Sequence, residues 1–288
     1  MTYPTGGAPQ WGEAPKPGVI PLRPLDVGDL FSGAVAAVRS HLKPIAVVSL
    51  VVAVVSQLLT LLLSLPFTDD VAALATLDPN EPDPSVVLDA LGDLLFLGTA
   101  GVFVGLISQV VLSGILTVLV SKAVLGRTIG LGEGWRELKP RLPGLLGLTV
   151  VTTVVVFVGA LLCVVPGVWI GVLVSLASTA LVLEQTTVKH SLQRSRDLVR
   201  GAWWRVFGVL ALTTLLTVVV SVLVQSVFTA LVAGVEYGVG PLVVESLGGV
   251  VASFLVTPFS AAVTVLLYID QRIRRERLDV ELAAAAGS

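Results

Sequence analysis

The chain is short of almost every group that does chemistry. It has one cysteine, Cys163, among 288 residues. No intramolecular disulfide and no thiolate metal cluster can be built from it. Cys163 lies in an apolar run and reads as a small buried side chain. There are two histidines, His41 and His190, and they give no metal-ligand spacing. No nucleophile–base pattern is visible. The stretch Gly130-Leu131-Gly132-Glu133-Gly134 lacks the lysine and the strand context of a phosphate loop. No catalytic, cofactor-binding or metal-binding residue is assigned, and the chain is expected not to be an enzyme. Headgroup chemistry by His190 and Glu184 is the remaining enzymatic reading, but six positions apart they share a helix face poorly.

Charge is scarce as well, and the scarcity has a pattern. Only 13% of residues are charged. Between Pro44 and Ser121 there is no lysine or arginine, while the stretch after Ser64 holds Asp69, Asp70, Asp78, Glu81, Asp83, Asp89 and Asp93. The net charge of −2 gives no argument for nucleic acid.

What the chain has in abundance is apolar length. Hydrophobic residues make up 55% of it and the mean hydropathy is +0.94. Six apolar runs stand out, at about 44–65, 97–121, 145–165, 168–184, 206–232 and 247–269. A helix of roughly 20 residues crosses the hydrocarbon core. The first run contains fourteen Leu, Ile or Val residues. At about −0.3 to −0.6 kcal/mol each they contribute roughly −4 to −8 kcal/mol toward insertion. The expected fold is therefore all-α and polytopic, a membrane domain over 24–270. The third and fourth runs meet at Pro166-Gly167, where a tight hairpin turn is expected. Pro258 is expected to kink the last run.

Six spans put both ends of the domain on one side. With segments 1–43, 122–144, 185–205 and 270–288 inside, all eighteen Lys and Arg lie on that side and none outside. The positive-inside rule then makes it the cytoplasmic side of the membrane. Residues 1–23, with Pro4, Pro9, Pro15, Pro17 and Pro21, read as a disordered cytoplasmic tail. Residues 271–288 read as a basic, then small-residue, cytoplasmic tail. The outer aromatic belt is assigned Trp169 and Tyr237, and the inner one Trp203, Trp204 and Tyr268.

Each of three inner segments shows a short amphipathic stretch feeding a pair of spans. In residues 26–39, Val27, Leu30, Phe31, Ala34, Val35 and Val38 form one helical stripe, with Asp26 placed as N-cap. Trp135, Leu138 and Leu142 make a shorter stripe. In residues 187–201, Lys189, Gln193, Arg196 and Arg200 form a basic face, opposite Val188, Leu192 and Val199. Three interfacial helices, each followed by a transmembrane hairpin, are expected, as a threefold internal repeat. Lys189, Arg196 and Arg200 are the candidate face for anionic lipid headgroups or an unidentified protein partner.

Within the spans polar groups are few. Gln57, Gln109 and Gln225 are the candidates for an intramembrane polar path, or for interhelical hydrogen bonds. No Asp, Glu, Lys or Arg falls near the centre of a span, which counts against an ion-coupled carrier. The spacings Gly101-Val-Phe-Val-Gly105 and Gly167-Val-Trp-Ile-Gly171 suit close helix approach and a homo-oligomer.

Four segments also resemble a known family. They are Gly18-Val-Ile-Pro-Leu-Arg-Pro-Leu25, Leu181-Val-Leu-Glu184, Arg194-Ser-Arg-Asp-Leu-Val-Arg-Gly-Ala-Trp-Trp-Arg-Val-Phe-Gly208 and Leu267-Tyr-Ile-Asp-Gln-Arg-Ile-Arg-Arg-Glu276. Together they resemble actinobacterial integral membrane proteins of the glycerophosphoryl diester phosphodiesterase membrane domain family, over roughly residues 18–282. The resemblance implies a membrane domain without the catalytic barrel that accompanies it in the enzymes. The expected role is a non-enzymatic membrane module that scaffolds a partner or organises envelope lipids, with no cofactor. The alternative is a transporter, exporter subunit or lipid-translocating protein.

Overall fold

A computed structural model describes residues 24–68, 84–124, 130–236 and 238–276. Among them there is no strand, and six helices are long and apolar enough to cross a membrane. The protein is a multi-pass, all-α membrane protein. Residues 1–23, 69–83 of the acidic connector, 125–129, Tyr237 and 277–288 lie outside the described residues, whereas 271–276, expected as the start of a tail, continue the last helix.

The first helix, α1, spans Val27–Ser40 and starts on a capping box, in which the Asp26 carboxylate accepts from the Asp29 N–H and Asp29 answers on the Asp26 N–H. Its buried face is Leu30, Gly33, Ala34 and Ala37, while Val27 and Val35 are exposed. The stripe read from the sequence is thus rotated by part of a turn, because the small residues are the ones that let α1 close on the last helix. After His41 comes α2, Leu42–Ser64. The next helix, α3, runs from Pro84 to Val124. It begins thirteen residues before the apolar run does, with proline at a first-turn position where its missing N–H costs nothing. Acids in those early turns are compatible with a helix once it has left the hydrocarbon.

A short helix α4, Leu131–Leu138, leads through a 3₁₀ turn at Lys139–Arg141 into α5, Leu142–Leu162. Then come α6, Val164–Val174, and α7, Ala177–Glu184. The hairpin between α5 and α6 turns at Cys163, which is extended (φ −172°, ψ 145°) and exposed. This corrects two expectations. Pro166 and Gly167 belong to the first turn of α6, where proline is tolerated. Gly167 is needed for packing: a Cβ there would lie 2.7 Å from the Ala160 backbone. Gly171 faces Val156 on the same hairpin. The Gly167–Gly171 pair therefore closes a contact within the chain and is not free for a second copy.

The chain continues through α8, Val188–Val199, to α9, Trp203–Leu231, and α10, Val239–Glu276. Helix α10 is continuous through buried Pro258, although that residue cannot donate to the carbonyl of Phe254. Helix α8 packs along α6 and α7. Buried Ser195 of α8 donates to the Leu173 carbonyl at 2.7 Å and accepts from the Leu176 N–H at 3.2 Å. It thereby satisfies backbone groups that the α6–α7 bend leaves open, as a broken helix inside a membrane protein requires. The course of α8 also carries the start of α9 to the first half of α6, where the Trp203 indole N–H meets the Trp169 carbonyl. Trp169 and Trp203 are neighbours, so they do not mark opposite membrane faces. Tyr268 is fully buried and is no belt residue either.

Short helices α1, α4 and α8 each precede a longer one, in the order of the expected repeat. Their surroundings differ: α1 packs on α10, α4 on α3, and α8 on α6 and α7.

Candidate functional site

Charged groups gather into two clusters at one end of α10, one around a buried carboxylate and one partly buried. In the first, Asp270 is fully buried. Its carboxylate accepts from the Leu25 N–H at 2.9 Å, from Arg205 at 3.0 Å and from Arg274 at 2.9 Å. The same two guanidinium groups each donate to the Leu25 carbonyl at 2.6 Å. One peptide is thus held on both its polar groups, and one buried carboxylate is held by two cations. A charge in that position is tolerable only when it is paired and hydrogen-bonded.

In the second cluster Arg194 donates to Glu184 at 2.7 Å and to Glu276. Tyr268 donates its hydroxyl to Glu184, and Arg272 lies 3.0 Å from Glu276. Burial works against the charged form of Arg194, but the hydrogen bonds to Glu276 and Glu184 outweigh it and hold its pKa above the ordinary value. Glu184 is committed to this network. The His190 backbone N–H donates to the Thr187 hydroxyl at 3.4 Å, and among the described residues its side chain forms no pair with Glu184.

From the sequence, Asp270 is only a residue at the end of a span, and Glu184 has only the enzymatic reading with His190. The missed signal was the set of four segments that carried the family resemblance. Leu25, Glu184, Arg194, Arg205 and the acids and bases of 268–276 come one or more from each segment, and the fold brings them together.

The basic face of α8 is different. Lys189, Arg196 and Arg200 are exposed and make no ion pair among the described residues. They are single cations on one helix, with Asp197 exposed beside them.

The three candidate glutamines divide. Gln225 of α9 donates to the Glu245 carbonyl of α10 at 3.2 Å, a plain interhelical bond. Gln57 and Gln109 instead line a cavity of about 270 Å³ between α2, α3 and α10. Helix α2 gives it Ser56, Gln57 and Thr60; α3 gives Ser108 and Gln109; α10 gives Ser253 and Thr257. Each set recurs at helical spacing, so one polar stripe of each helix faces the same space. Gly249 makes the approach close enough, since any Cβ there would overlap the Gln57 amide.

The hydrogen bonding at this cavity is incomplete. Elsewhere in the spans hydroxyls such as those of Thr99, Thr152 and Thr213 bond back to a carbonyl of their own helix. The side chains of Gln57, Ser108, Gln109, Ser253 and Thr257 make no hydrogen bond among the described residues. Ser49, one turn along α2 from Val52 and Ala53 in the cavity wall, is fully buried and its hydroxyl has no partner. In hydrocarbon such groups have no solvent to turn to.

A second depression, of about 370 Å³, lies between α1, α2, α9 and α10. It is apolar apart from Arg39 and Thr217.

The chain belongs to the uncharacterised protein family UPF0259, whose model matches residues 24–256. No solved structure matches it.

Proposed function

We propose that this member of an uncharacterised family is a non-enzymatic protein of the bacterial plasma membrane that holds a lipid between its helices. The observation behind the proposal is the cavity at Gln57 and Gln109. Five of its seven polar side chains are unpaired among the described residues and lie inside three apolar spans, and Gln109 and Thr60 are exposed on its rim. A lipid headgroup entering from the side would complete those bonds. The reading joins the organisation of envelope lipids to lipid translocation, and it places both termini in the cytoplasm by the distribution of lysine and arginine.

The test is native mass spectrometry of the protein released from its own membranes with lipids retained. The wild type should keep a lipid at fixed stoichiometry. The Gln57→Leu/Gln109→Leu variant should lose it while inserting and unfolding like the wild type. Equal retention by the variant sinks the proposal. Flux of labelled lipid through liposomes then separates a carrier from a static binder.

A second reading has its own observation, the exposed and unpaired Lys189, Arg196 and Arg200. On it α8 attracts anionic headgroups, each cation near the surface contributing about 1 kcal/mol. Arg196→Glu/Arg200→Glu should lower the number of anionic lipids retained without altering insertion. Unchanged retention would leave these residues as determinants of topology alone.

A further inference from the structure

Resting on the lipid-holding reading, we infer that the group taken by the Gln57–Gln109 cavity is uncharged and hydroxyl-bearing, the headgroup of a diacylglycerol or a neutral glycolipid, and not a phosphate. Four observations lead there.

The first is the absence of charge. None of the residues lining the cavity is ionisable. The guanidinium groups of Arg194, Arg205, Arg272 and Arg274 are occupied in the clusters at the far end of α10, and Arg39 lines the other depression. The helices around the cavity pass through it, so no helix N-terminus offers N–H groups to an anion. A phosphate moved into such a place would lose its hydration with no countercharge in return.

The second is the mixture of donors and acceptors. Each glutamine amide offers two N–H groups and a carbonyl oxygen. Ser56 and Thr60 give their protons to carbonyls of their own helix, so toward the cavity they can only accept. Ser108, Ser253 and Thr257 can do either. A ligand that satisfies both kinds must donate and accept. Hydroxyl groups do both, whereas a phosphodiester accepts only.

The third is size. About 270 Å³ is far above the roughly 10–15 Å³ that one water molecule needs. The fourth is the mouth. At Gly101 and Gly105 a Cβ would meet nothing within 4 Å. The cavity opens there past two bare stretches of α3, so a headgroup can turn in while its acyl chains stay in the bilayer.

The experiment measures binding to the full-length protein in detergent by native mass spectrometry, with dioleoylglycerol, a monoglucosyl diacylglycerol and phosphatidylglycerol added singly and in competition. The neutral lipids should bind, and equal phosphatidylglycerol should fail to displace them. Gln57→Leu/Gln109→Leu should weaken neutral-lipid binding by about tenfold or more. Gly105→Leu fills the mouth from a side where nothing touches it, so it should weaken binding with the thermal midpoint unchanged, and it keeps the test standing if the double variant folds poorly. If phosphatidylglycerol binds as well as the neutral lipids and is lost in both variants, the inference is overturned and the lipid-holding reading survives. If no lipid responds to either variant, both are overturned.

Discussion

Helices α9 and α10 are one antiparallel pair with two unlike ends. Where Arg205 meets Asp270, the chain from Ala262 to Ile273 is almost wholly buried, and Val206 and Val209 face it. Where Gln225 meets Glu245, Leu223, Val227, Leu231, Val243 and Leu247 are all exposed. The apolar residue types are the same at both ends. What differs is the neighbour: α1 and the α8 turn at one end, and hydrocarbon at the other. In a bilayer an apolar side chain is as content against lipid as against protein, so burial has to be secured by something directional. At the closed end that is the pair of ion clusters. At the open end little is directional, and helices can stand apart around an unfilled polar space.

Three substitutions would break or sharpen this contrast. The largest effect is expected from Asp270→Ala, which strands Arg205 and Arg274 and frees the Leu25 peptide. Removing one partner of a buried ion pair costs about 3–5 kcal/mol. Thermal unfolding in detergent should show it as a large drop in midpoint, and a midpoint within error of wild type would mean the clamp holds nothing together. Next comes Ser195→Ala, which leaves the Leu173 carbonyl and the Leu176 N–H unsatisfied, at about 1–3 kcal/mol. Hydrogen exchange should rise at the α6–α7 bend and not elsewhere; uniform exchange would deny the bend its dependence on that hydroxyl. Smallest is Gln225→Leu at the open end, about 0.6 kcal/mol by the usual worth of an interhelical bond in a membrane. A loss as large as that of Asp270→Ala would erase the contrast.

Much of this architecture is legible in the sequence, for a physical reason that also sets the limit. Length and hydropathy give the six spans, because a bilayer demands them in every such chain. Asp26 as a cap is legible because its partner is three residues away. The clamp is not, since Asp270 reaches partners at separations of 65 and 245 residues. Nor is the turn at Cys163: Pro166-Gly167 is the stronger breaker by composition, yet the close approach of Gly167 to Ala160 puts it in a helix. The polar path is partly legible. Three glutamines look alike in sequence, and only the packing of α2, α3 and α10 separates Gln57 and Gln109, which face a cavity, from Gln225, which is satisfied.

The Leu25 peptide also orders events in time. Everything that holds it comes from α9 and α10, the last two helices to be made, 180 to 249 positions later. During synthesis α1 can meet α2 and α3 first, but the Leu25 peptide stays unclamped until α9 and α10 arrive. The bond from Arg274 to the Leu25 carbonyl closes a loop of 249 positions, so the first described helix is fully seated only when α10 is in place.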